Sequence, residues 1–168
     1  MTGSAQTLAS LFGTIDFLVP LVLDDLTEAQ ARARSRDPEG PSISWSLGHL
    51  LHFRHNALAL LGVPEDDAYG ERFGSAGATD GGDYPSLGEL RSEWERVAAA
   101  LGAGLKKTTE AFLDVRAAGP HDEKTVRDKL AFLAFHEGYH LGVVGALRKS
   151  LGLPGPAERV MARQAEIK

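Results

Sequence analysis

The stretch that decides the fold is His136–Pro154, HEGYHLGVVGALRKSLGLP. His136 and His140 are four residues apart, so on a helix they share one face with Cβ atoms roughly 5–6 Å apart. Leu133, Val143, Val144, Leu147 and Leu151 recur on that same face, which turns the histidine pair towards a core. The helix is expected to start near Thr125 and end at Leu151, where Gly152 and Pro154 stop it. Two imidazoles in an apolar stripe need a partner. Either they bind a metal, or they hydrogen-bond to each other or to the backbone.

Working outward, three more long helical patterns emerge. Ser4 to Leu23 carries Leu8, Leu11, Phe12, Ile15, Leu18, Val19 and Val22 at three- and four-residue spacing, and Pro20 should bend or loosen its last turn. Leu26 to Ala33 reads as a short helical stretch, and Arg36 to Ser42 as a loop. A second long helix runs from about Ser44 to Leu61, capped by Ser42 or Ser44 and stopped by Gly62 and Pro64. It has two stripes. One holds Ile43, Leu47, Leu50, Leu51, Leu58 and Leu61; the other holds Trp45, His49, Phe53 and Leu60. A helix apolar on two sides is covered on two sides, with the core on one and a partner subunit on the other. Residues 62–85 form a long loop, too polar and too Gly-rich to be core, of the kind that is often functional or mobile. A third helix opens at Ser86, which has capping-box spacing to Glu89, and its stripe runs from Leu87 through Leu90, Trp94, Val97, Leu101 and Leu105 to Phe112. Residues 117–123 break the pattern before the histidine helix, and 156–168 is a short helix or a frayed tail. No strand alternation is visible. The expected fold is all-α: one domain over 1–168, built as a four-helix bundle with a long loop between its second and third helices.

Composition narrows the function. The chain of 168 residues has formal net charge −5, 43% hydrophobic and 24% charged residues, which is ordinary for a soluble domain. It shows no basic patch for nucleic acid. The apolar run Ile15–Leu23 is too short to cross a bilayer and has no preceding Lys or Arg, so no membrane association and a cytoplasmic location are expected. There is no cysteine, so no thiolate can serve as ligand or nucleophile and any thiol must come from outside.

The third ligand should come from another helix. His49, His52 and His55 all lie on the second one, and pattern alone does not rank them; His121, in a Gly-Pro turn, is the weakest candidate. HEGYH also matches the HExxH of zinc proteases, with Glu137 as general base. The context is poor for that reading, because only Glu158 and Glu166 remain downstream as carboxylate ligands.

SISWSLGHLLHF (Ser42–Phe53) and HEGYHLGVVGALRKSLGLP resemble the second- and fourth-helix motifs of the DinB/YfiT-like superfamily. ERFG (Glu71–Gly74) and YPSLGEL (Tyr84–Leu90) are similar to its members as well, so the resemblance spans about Leu26 to Pro154. It implies a four-helix bundle with a metal held by three histidines, one following a Leu-Gly pair on the second helix and two from the HxxxH of the fourth. Those positions are His49, His136 and His140. Members often have Gln where this chain has Val143, which removes a polar group near the expected site. Characterised relatives use low-molecular-weight thiols such as bacillithiol or mycothiol in S-transfer or isomerisation.

Three imidazoles suit a divalent metal by softness, Zn or Ni first and Fe next. The resemblance implies a thiol co-substrate such as bacillithiol and an electrophile as the small-molecule partner, while the second apolar side of the 44–61 helix points to a homodimer. The alternatives are a metal-binding stress-response protein without catalysis and a metal-activated hydrolase.

Overall fold

The computed structural model describes residues 3–36, 39–74, 84–119 and 123–166. Its elements are α1 (Ser4–Leu23), α2 (Glu28–Arg32), α3 (Ile43–Leu60), α4 (Gly70–Phe73), α5 (Leu87–Lys107), α6 (Glu110–Leu113), α7 (Val126–Ser150) and α8 (Pro156–Glu166). The protein is all-α; among the described residues, extended pairing is limited to isolated bridges such as Arg34 with Ser42.

The helix starts are set by local chemistry. The Ser42 side chain accepts from the Trp45 amide and opens α3. Ser86 with Glu89, and Thr125 with Asp128, form reciprocal capping boxes that open α5 and α7, each satisfying amides the helix itself leaves orphaned. α1 continues through Pro20 to Leu23.

α1 and α3 each pack against both α5 and α7, so the four long helices enclose one core. Leu8, Phe12, Val19, Leu50, Leu58, Leu90, Trp94, Leu101, Leu130 and Leu147 all lie in it. α1 and α7 are both long and apolar enough to span a bilayer by length and composition. Each nonetheless buries one face in that shared core.

The structure departs from the expected elements in two places and decides a third, where a short helix or a frayed tail was expected. The third-helix stripe stops at Leu105; the chain breaks after Lys107 and resumes as the separate turn α6, whose Phe112 is partly exposed while Leu113 is buried. Residues 156–166 form a helix that packs on α1. The loop after α3 is not wholly excluded from the core, since Phe73 is fully buried and Tyr84 nearly so. Residues 75–83 of that loop lie outside the described residues.

Candidate metal centre

α3 and α7 lie side by side and bring three histidines together. The ring centroids are 5.1 Å apart for His49 and His136, 4.7 Å for His49 and His140, and 4.5 Å for His136 and His140. One nitrogen from each lies within 4.8 Å of the others. The i, i+4 spacing on α7 supplies two of them from one helix face, and α3 supplies the third from across the groove.

Aromatic rings hold the cluster in place. Trp45, one turn before His49, stacks on it at 4.6 Å and 16°, and Phe53, one turn after, meets it edge-on at 4.8 Å. Phe53 and Phe132 flank His136, and Tyr139 meets His140 edge-on. Burial among these rings disfavours the imidazolium form. It pushes His136 and His140 down to about 4, helped by repulsion from His49 on both and from His136 on His140, and it lowers His49 as well. All three are therefore neutral at pH 7, the form that ligates.

Hydrogen bonding settles the tautomer of His49. Its Nδ1 is 2.7 Å from the carbonyl oxygen of Phe73, and a carbonyl can only accept. Nδ1 therefore carries the proton, and the lone pair sits on Nε2, 3.3 Å from Nε2 of His136. Two nitrogens about 2.0–2.1 Å from one tetrahedral zinc stand roughly 3.3–3.4 Å apart, so the spacing fits shared ligation. Nδ1 of His136 and of His140 are both buried without a protein partner. The donor set fits a borderline divalent ion such as Zn or Ni.

The carbonyl that orients His49 is fixed by a close approach. A Cβ on Gly48 would come within 2.5–2.6 Å of three carbons of the Phe73 ring, so only glycine lets that ring approach α3 so closely. A second clasp joins His52 Nδ1 to Asp67 Oδ2 at 2.6 Å, while Asp67 Oδ1 accepts from the Tyr69 amide. His52 thus serves the loop rather than the cluster. His55 turns to α5, where its Nε2 lies 3.2 Å from Glu93. His121 lies outside the described residues.

Glu137 is not placed as a protease base. It is buried, and both of its oxygens accept from Arg54, at 2.8 Å each. Arg54 is fully buried too; it also reaches Asp16 on α1 and lies 3.8 Å over the Trp94 ring on α5. One guanidinium therefore ties all four long helices together. Burial pushes the Glu137 carboxyl above its ordinary value, and the paired Arg54 pulls the other way.

Residues 18–144 match the family model of the DinB superfamily. A comparison with curated proteins finds no match.

Proposed function

We propose, since this chain belongs to the DinB superfamily, that its four long helices are the four-helix bundle of that superfamily and that His49, His136 and His140 bind a divalent metal. We further propose that the site transfers a low-molecular-weight thiol, such as bacillithiol, to an electrophile in the cytoplasm. The observation that carries this reading is the cluster of three neutral imidazoles, with the lone pair of His49 turned inward by the Phe73 carbonyl.

His49, His136 and His140 would hold the metal, which would supply the Lewis acidity that favours the thiolate form of an external thiol at neutral pH. The chain does the rest. Trp45 and Phe53 clamp the His49 ring from both sides. Phe53 and Phe132 keep water from the flank of His136, which strengthens electrostatic interactions at the centre. With no cysteine in the chain, no internal thiol competes for the metal or the electrophile.

The first test is elemental analysis of untagged protein, with about one equivalent of zinc or nickel expected. His140→Ala should lose that metal on dialysis and keep its helical circular dichroism. Stoichiometric metal in that variant would remove His140 from the site. A panel of thiols and electrophiles should then show metal-dependent thiol consumption. Metal-dependent ester or amide hydrolysis without a thiol would favour the hydrolase. Bound metal with neither activity would leave a binding protein.

A further inference from the structure

Across the bundle from the histidines, a cavity of about 310 Å³ lies between α1, α5 and α8. That volume is at the low end for small-molecule sites, about 300–1,000 Å³. Arg91 comes to it from α5, Pro20 and Leu21 from α1, and Arg159, Ala162 and Arg163 from α8. The histidine cluster sits on α3 and α7, so the two places share no residue.

The charges lining the cavity do not cancel. Its three guanidiniums stand against two carboxylates, Asp24 and Glu166, which leaves one positive charge in surplus on a chain whose net charge is −5. Arg159 is committed, because its Nε donates to the Leu21 carbonyl at 2.8 Å and its Nη2 to Asp24. Arg163 meets Glu166 at 3.1 Å with both side chains more than half exposed, and such a pair holds weakly in water. Arg91 is partly buried, yet among the described residues it has neither a hydrogen bond nor an ion pair. Glu95 stands one turn along α5, at the spacing that pairs side chains, and the two remain apart. A guanidinium that has lost part of its water without gaining an acceptor is an open position for an anion.

We propose that this cavity binds an organic monocarboxylate with an apolar body, its carboxylate held by Arg91. One carboxylate balances the one surplus charge, and the planar fork of a guanidinium donates two parallel N–H bonds to its oxygens. A phosphate dianion would overshoot that balance. The rest of the lining suits hydrocarbon: Pro20, Leu21, Ala162 and the methylene stems of the arginines. A notch of about 10 Å³ shares Pro20 and Arg91 with the cavity and is walled further by Val19, Leu23 and Trp94. It has room for about one water-sized group, and its apolar walls favour a methyl. No residue of α8 is buried, and Arg159 ties that helix to α1. A bound acid would add a link from α8 to Arg91 on α5. The argument stands without the metal reading.

The test is calorimetric titration of the full chain with sodium octanoate. Each titration is repeated on His140→Ala, which tells a carboxylate caught by a metal from one in this cavity. Saturable binding with a dissociation constant of about 1 mM is expected in both. Octanamide has the same size without the charge and should bind about tenfold more weakly or worse, the loss of a hydrogen bond to a charged group. Arg91→Gln should weaken octanoate by a similar factor and leave the melting temperature unchanged, since Arg91 holds no other part of the protein. Lys106→Gln removes an exposed cation from the last turn of α5 and should change nothing. Octanoate should also slow amide exchange over residues 156–166. Equal octanoate binding by Arg91→Gln, equal binding of octanamide, binding that vanishes in His140→Ala, or unchanged exchange in α8 would each overturn the proposal. So would no saturation by about 10 mM octanoate, ten times the expected constant. Inorganic phosphate bound as tightly as octanoate would overturn it too, marking an adventitious ion only.

Discussion

Gly48→Ala adds one methyl at the point where the loop after α3 touches the helix. The new Cβ would sit 2.5–2.6 Å from three carbons of the Phe73 ring, against an ordinary carbon–carbon contact of about 3.5–4.0 Å. The ring must retreat by about 1 Å. It is fully buried, with Tyr84 at 5.0 Å and Tyr69 at 6.4 Å, so the backbone of α4 has to move with it. Overpacking of this kind costs about 1–3 kcal/mol, and alanine returns about 1 kcal/mol of helix propensity. The net loss of stability should therefore be small, at most about 2 kcal/mol. The larger effect is expected at the metal. The Phe73 carbonyl is the acceptor that holds His49 Nδ1–H, and losing such a support costs about 10–100-fold in affinity. Zinc titration against a chromophoric chelator would measure this, and nitrogen-15 shifts would report whether His49 keeps its proton on Nδ1. Gly48→Ala with Phe73→Leu should recover part of the affinity, because the smaller side chain makes room for the methyl. Wild-type affinity and tautomer in Gly48→Ala would refute the reasoning, as would an affinity loss that Phe73→Leu does nothing to relieve.

Other perturbations test the frame around the site. Arg54→Met leaves the buried Glu137 carboxylate unpaired and should cost about 3–5 kcal/mol in urea unfolding, whereas Arg54→Met with Glu137→Leu should recover most of it. Arg148 holds the Asp25 carboxyl below its ordinary value through paired hydrogen bonds. The folded state thus binds the proton less tightly than the unfolded chain, so the contribution is complete above the unfolded value near 3.8 and fades as the pH falls through the folded one. Asp25→Asn should accordingly be less stable than wild type at pH 7, with the gap narrowing below pH 4 in thermal scans. Saturating zinc at 100 times its dissociation constant should add about 2.7 kcal/mol to the unfolding free energy of wild type and nothing to that of His140→Ala.

Much of the fold was legible because periodicity and caps report what a helix needs locally. Ser42, Ser86 with Glu89, and Thr125 all stand where a helix begins, and the apolar stripes lie largely on the faces that pack, although Leu11 of the first is 48% exposed. The stripe that overran, from Leu105 to Phe112, did so because its spacing continues through the gap although Thr108 and Thr109 leave the helix; Thr109 caps the turn that follows. The hub was missed for a different reason. In the stripe Leu47, Leu50, Leu51, Leu58, Leu61, the position that should come next after Leu51 is occupied by Arg54, and Glu137 interrupts the core face of α7 in the same way. A cation and a carboxylate at core positions of facing helices are a readable pair, since neither could be buried alone.

The histidine cluster was half legible. Spacing on α7 placed His136 and His140 on one face, but choosing among His49, His52 and His55 needed the family resemblance, because a wheel shows where a side chain points and not what waits there. The structure separates them by their partners: a backbone carbonyl for His49, Asp67 for His52 and Glu93 for His55. Only the first partner leaves a lone pair facing His136. That carbonyl belongs to a loop whose glycines and acids suggested exclusion from the core, yet Phe73 enters it because Gly48 has no side chain to keep it out. The Leu-Gly-His run is therefore a packing signature as much as a ligand motif, with the glycine admitting the ring and the ring's own backbone aiming the histidine. Gly48 thus acts on the histidine cluster through the Phe73 ring it admits, besides the peptide bond it shares with His49.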